Sequence, residues 1–134
     1  EEENMGYRSQ VVLAVSKELQ PYFLAALASS PKATSLVFKE TDCFENDAYS
    51  DETMLMSWSG IKWYDSHEEI NVIEKFISDC ESDDLEGWEA EQNDEDGFAY
   101  QNFRFLRIGE DYDDVEDKGD LHDIEIHISR EIQF

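Results

Sequence analysis

QVVLAVSKELQPYFLAALAS, Gln10–Ser29, joins two different periodicities in one short stretch. Gln10–Ser16 is a β-branched apolar run of the kind that fills a strand buried on both faces. Lys17–Ser29 is rich in Ala and Leu and places Leu19, Phe23, Ala26 and Leu27 at helical spacing. Pro21 lacks an N–H and is tolerated only in or just before a first turn, so the helix becomes regular from there, and Ser29-Ser30-Pro31 ends it. A strand running straight into a helix points to a mixed α and β fold.

Outward from this unit, Ser35–Lys39 (SLVFK) reads as a second strand. Met54–Tyr64 (MLMSWSGIKWY) alternates through Met54, Met56 and Trp58, then changes phase to Ile61 and Trp63, which predicts a bulge near Gly60 within a long strand or hairpin. Ser66-His67-Glu68-Glu69 has the form of a capping box. The helix it opens carries Ile70, Ile73, Ile77 and Cys80 on one stripe, flanked by Phe76. Gly87–Glu91 and, after the turn-like Asn93–Gly97, Phe98–Ile108 read as strands. Leu121–Phe134 alternates throughout, with Ile124, Ile126, Ile128, Ile132 and Phe134 on one face and Asp123, Glu125, His127, Ser129, Glu131 and Gln133 on the other. The expected architecture is α+β: an antiparallel sheet with two helices packed on one face, in ferredoxin-like topology.

Glu1–Asn4 precede Met5 and read as a remnant ahead of a natural start, leaving residues 5–134 as one acidic domain. Hydrophobic residues are 40% of the chain, with eight Phe, six Tyr and three Trp, enough for a core despite the charge. Cys43 and Cys80 have no zinc-type spacing and read as two buried, reduced thiols. The longest apolar stretch, Tyr22–Ala28, is too short to span a bilayer. With no signal-peptide pattern, the expected location is cytoplasmic.

Charge is the unusual property: 34 acidic residues against 10 basic give a net −24. A compact domain of this length is about 36 Å across, and a DNA duplex of that length carries roughly 21 phosphate charges. Self-repulsion on this scale is expected to make the fold gain stability as salt is added, read as a rise in Tm. Anionic membranes and nucleic acids repel such a surface, so neither is expected as a direct partner. Acidity is concentrated in Glu40–Glu52 with six carboxylates, Asp79–Asp96 with ten, and Glu110–Glu125 with nine and the single base Lys118. A basic groove shaped for a phosphate backbone fits rows of this kind. The candidate contact groups are Asp83, Asp84, Glu86, Glu89, Glu91, Asp94, Glu95 and Asp96, with Asp111, Asp113, Asp114, Glu116 and Asp117.

Other uses of these residues find less support. An EF-hand register with Gly97 at the turn puts Gln92 first and Phe103 last, and one on Gly119 puts Lys118 at a ligand position. No metal or other cofactor is expected. There is no GxSxG and no Gly-rich phosphate loop, and His67, His122 and His127 have no signal tying them to a nucleophile, so no enzyme is expected. Trp58, Trp63, Tyr100 and Phe103 resemble an RNA-stacking set, but the charge opposes it, and core positions suit them better.

Met5-Gly6-Tyr7-Arg8-Ser9, leading into an apolar strand, resembles the opening of small acidic bacteriophage-encoded proteins. In composition and size the chain is similar to the nucleic-acid mimics among anti-restriction and anti-CRISPR proteins. That likeness implies an inhibitor of a host protein's basic nucleic-acid-binding surface, and it transfers no functional residue. The competing expectation is a phage accessory or structural protein forming a small oligomer, such as a homodimer, through an apolar interface on the last strand or on Trp58 and Trp63, with acidity serving solubility alone.

Overall fold

The computed structural model describes residues 7–48, 52–82, 84–88, 98–111, 113–121, 127–128 and 132–133. Its elements run β1 (Ser9–Val15), α1 (Gln20–Leu27), α2 (Pro31–Phe38), β2 (Cys43–Ala48), β3 (Thr53–Ile61), α3 (Glu68–Glu81), a 3₁₀ turn (Ala99–Asn102), β4 (Phe103–Ile108), β5 (Val115–Gly119), β6 (His127–Ile128) and β7 (Ile132–Gln133). Five strands form one sheet in the order β2-β3-β1-β4-β5. Every neighbouring pair in it is antiparallel. The fold is thus α+β with an antiparallel sheet.

β1 is the central strand because its apolar residues are buried on both faces. Val11, Leu13 and Val15 join Met54, Met56, Trp58, Phe103 and Phe105 in the larger core, where α1 contributes Phe23 and Leu27, α2 contributes Leu36 and Val37, and α3 contributes Ile70, Ile73, Phe76, Ile77 and Cys80. Val12 and Ala14 point the other way, into a smaller cluster with Leu55, Leu106 and Ile108. β7 lies against both β1 and β4. Those strands are interior neighbours, so β7 crosses a face of the sheet instead of extending an edge.

The structure corrects several local expectations. Ser35–Lys39 is not a strand but the second half of α2 with its C-cap, Lys39. Ser30 is extended and its hydroxyl accepts from the Ala33 N–H at 3.2 Å, while Pro31 occupies the first helical position. Cap and proline together open a helix whose Ala33, Leu36 and Val37 are buried at helical spacing, overriding the strand preference of a short apolar run. α3 is capped at His67, without a side-chain cap bond, so Ser66 forms no capping box. The His67 N–H instead donates to the Tyr64 carbonyl at 2.9 Å, which closes a turn through Ser66. Glu68 and Glu69 still complement the positive end of the helix.

Phe98–Ile108 is a strand only from Phe103. Asn102 is buried, donating to the Phe98 carbonyl at 2.9 Å and accepting from the Ser16 hydroxyl at 2.8 Å, which ties a 3₁₀ turn to the end of β1. Gly87 lies in a turn with φ +91° and the buried Trp88 follows it outside any strand, while residues 89–91 of the Gly87–Glu91 expectation lie outside the described residues. Leu121–Phe134 is not one strand either, since β6 and β7 pair antiparallel with each other. The side-chain alternation expected there lies outside the described residues.

Other expectations hold. Pro21 opens α1, and the whole α3 stripe is buried. The phase change near Gly60 is a bulge: β1 advances from Ser9 to Val11 while β3 runs from Ile61 to Trp58. Gly60 supplies the left-handed backbone there, at φ +65°.

Candidate acidic interface

Cross-strand neighbours share a face, so β4 and β5 sort their charges by alternation. Arg107 and Glu116 are opposite each other on one face, and Leu106 and Asp117 on the other. Arg107 donates from Nε and Nη2 to Glu116 at 3.2 and 3.0 Å, from Nη2 and Nη1 to Asp114 at 2.6 and 3.3 Å, and from Nη1 to the Ser9 hydroxyl at 2.9 Å. These bonds use all five guanidinium N–H groups. The side chain is 11% exposed.

Asp114 also accepts from the Tyr7 hydroxyl at 2.6 Å, and the Tyr7 oxygen accepts from the Asp111 N–H at 3.0 Å. Hydrogen bonds from Arg107 and then Tyr7 hold the Asp114 carboxyl below its usual range. The bond to Asp114 raises the Tyr7 phenol in turn. Burial pulls the Arg107 guanidinium down, but its bonds to Asp114 and Glu116 outweigh that and keep it above its usual value. Gly109 permits the closure: a Cβ there would strike the Asp114 carboxylate and the Tyr7 hydroxyl.

Of the candidate contact residues, Asp111 and Asp113 are exposed in the β4–β5 turn. Asp114 and Glu116 are half-buried and engaged by Arg107. Asp117 is held by Arg104 through Nε and Nη2 at 2.9 and 3.1 Å, on the opposite face from Glu116. Asp84 and Glu86 are exposed just beyond α3, where Asp84 accepts from the Ser82 hydroxyl at 3.0 Å. Asp83, Glu89, Glu91, Asp94, Glu95 and Asp96 lie outside the described residues.

The described members of the two clusters are not brought together. Lys118 reaches Glu81 at 4.0 Å, which sets the end of β5 beside the end of α3. The turn holding Asp111 and Asp113 is beyond the other end of β5, a strand about 13 Å long at ~3.3 Å per residue. Glu116 and Asp117 are divided by the sheet itself.

A second acidic flank was not among the candidate residues. β2 is an edge strand, and a bulge between Glu45 and Ala48 leaves Glu45, Asn46 and Asp47 all exposed. Glu40 and Asp42 precede them, also exposed. Their hydrogen-bond donors are neutral: the Ser35 hydroxyl for Glu40, the Ser59 N–H for Asp42, the Cys43 thiol for Glu45 and the Glu52 N–H for Asp47. Phe38, 48% exposed, packs at a tilt on Phe44 beside this row, with 5.4 Å between ring centres. The density of Glu40–Glu52 was visible in the sequence. Its strand was not, because CFENDA has too few apolar residues to show an alternation.

An open groove of about 380 Å³ runs beside the Arg107 network, lined by Tyr7, Trp63, Tyr64, Asp65, Glu74 and Glu116 together with Arg107 and Lys118. The Trp63 indole donates to Glu74 Oε2 at 2.7 Å. Trp58 and Trp63 are 2% and 8% exposed, so the apolar interface expected on them is instead core. Cys80 is buried and its thiol is pushed up to about 12, by burial and then by Asp79 and Glu81. Cys43 is only half-buried, contrary to expectation, and its thiol is raised by burial and by Glu45.

No helix among the described residues is long and apolar enough to cross a membrane. No protein-family model matches the chain. No curated protein matches it in sequence. No solved structure matches its fold.

Proposed function

We propose that this protein is a non-enzymatic acidic inhibitor that occupies the basic nucleic-acid-binding surface of another protein, in the manner of a DNA mimic. One observation carries the reading: with a net charge of −24, bases that could have formed a cationic patch are tied to carboxylates of the chain itself. Arg107 has no free donor and Arg104 is bound at both Nε and Nη2. The outward charge then rests with exposed carboxylates such as Asp84, Glu86, Asp111 and Asp113, and with the β2 flank. Association would be driven as DNA binding is, by counterions released from the partner's Lys and Arg, with affinity falling steeply with salt. The resemblance of the opening residues to phage proteins points to a host-defence nuclease or a transcription or replication factor as the target, in the cytoplasm of an infected cell.

The fold reading that accompanies this is ferredoxin-like. The order β2-β3-β1-β4, with α1 and α2 between β1 and β2 and α3 between β3 and β4, supports a split βαβ arrangement extended by β5 at one edge. In this reading the first crossover is doubled, and the helices share the larger core.

Displacement of labelled DNA from purified basic nucleic-acid-binding proteins tests the function. Affinity for the basic partner should weaken roughly a thousandfold between 50 and 200 mM salt, as expected when about six charges are matched. Reversing Asp84, Glu86, Asp111 and Asp113 to Lys together should weaken it further and flatten the salt slope. Equal inhibition by parent and reversed variant would refute the proposal.

A further inference from the structure

We infer that the groove beside Trp63 and Tyr64 receives a single arginine side chain of the basic partner, an assignment that rests on the proposed function above and gives it a specific anchor. Three features select the ligand. Arg107 spends every donor within the protein, and Lys118 is flanked by Glu81 and Glu116 at 4.0 and 3.8 Å, so the charge of both bases at the groove is already matched by carboxylates of the protein. Asp65 is exposed and accepts no hydrogen bond from the described residues. Glu74 is half-buried and uses only Oε2, for the Trp63 indole, which leaves Oε1 open among the described residues. An incoming cation therefore finds two available carboxylate groups.

Aromatic rings decide between the two cationic side chains. Tyr64 and Tyr7, both half-buried, line the same groove beside the buried Trp63. A guanidinium is planar, weakly hydrated and able to stack on such rings while donating in its own plane to carboxylates. A lysine ammonium is more strongly hydrated and presents a point charge with no plane to stack. The Tyr64 hydroxyl donates to the Tyr7 carbonyl at 3.1 Å, and Trp63 packs on Trp58 and Phe105 with ring centres 5.6 and 5.9 Å away. The walls are thus held in place before anything binds, which lowers the ordering cost of binding.

The test uses the intact protein and N-acetyl-arginine amide in 0.15 M NaCl, following the Trp63 indole N–H signal by NMR. A saturable shift is expected, with Kd of roughly 1–10 mM for so small a ligand. The neutral isostere N-acetyl-citrulline amide should give none, and N-acetyl-lysine amide, of equal charge, should bind several-fold more weakly. Glu74→Gln keeps an oxygen for the Trp63 indole and should weaken arginine binding at least fivefold with the fold intact. No saturable shift, equal binding of the lysine or citrulline compound, or unchanged affinity in E74Q each overturns the assignment. DNA displacement is read separately: an arginine shift without displacement sinks the proposed function, and displacement without the shift sinks only the groove.

Discussion

Trp58→Ala is expected to cost about 3–5 kcal/mol of folding free energy, the range for removing a large aromatic side chain from a packed core. Trp58 is 2% exposed, its indole donates to the Leu36 carbonyl of α2 at 3.1 Å, and its ring packs on Trp63. It is the largest side chain joining β3 to the helical layer. Domains are stable by only about 5–15 kcal/mol, and this one also carries the repulsion of 24 net charges. Urea unfolding measures the loss, and Trp58→Phe separates its parts. Phe fills much of the volume but leaves the Leu36 carbonyl without its donor, which should cost about 1–3 kcal/mol. A Trp58→Ala protein with an unchanged urea midpoint would show that the α2–β3 contact contributes little.

Arg107→Met should be the most damaging change to a polar group among the described residues. It keeps an unbranched apolar stem but leaves Asp114 and Glu116 facing each other without their shared cation, in a protein already short of positive charge. Breaking a fully buried pair costs about 3–5 kcal/mol; with these carboxylates about a third exposed, about 2–3 kcal/mol is expected. Arg107→Lys should fall between, because an ammonium cannot serve Asp114, Glu116 and Ser9 in one plane. The deficit should shrink in high salt, which screens the exposed part of the repulsion.

Its pH dependence has a definite sign. The folded-state pKa of Asp114 is lowered from 3.8, first by the Arg107 bond and then by Tyr7. A carboxyl shifted downward contributes stability that is fully present above its unfolded value and disappears as pH falls through its folded value. The parent's advantage over R107M should therefore hold from neutral pH to about pH 4 and fade below it. An advantage that grew on acidification would show that another group controls the difference.

Residues whose burial is local were legible in the chain. The run Val11–Val15 is apolar at every position and is buried on both faces. The α3 stripe repeats at helical spacing because one face meets the core. Gly60 marked a bulge by breaking an alternation that a regular strand would have kept. Short, ambiguous or edge segments were not legible. SLVFK has strand-like residues, but a serine five positions and a proline four positions upstream settle it as helix. β2 and β5 bury too little to leave a hydrophobic pattern, so acidic edge strands resemble acidic loops.

The same division holds for the candidate interface. Composition and charge were determined by the chain alone, since counting ionisable groups needs no coordinates: a strongly anionic domain with enough aromatic residues to fold. Which carboxylates carry free charge was decided only by tertiary structure. Arg107 meets Ser9 across 98 positions of sequence, and Lys118 meets Glu81 across the packing of α3 on the sheet. Strand alternation then sends the adjacent Glu116 and Asp117 to opposite faces. Pairing in space cancels charges that a sum along the sequence can only add.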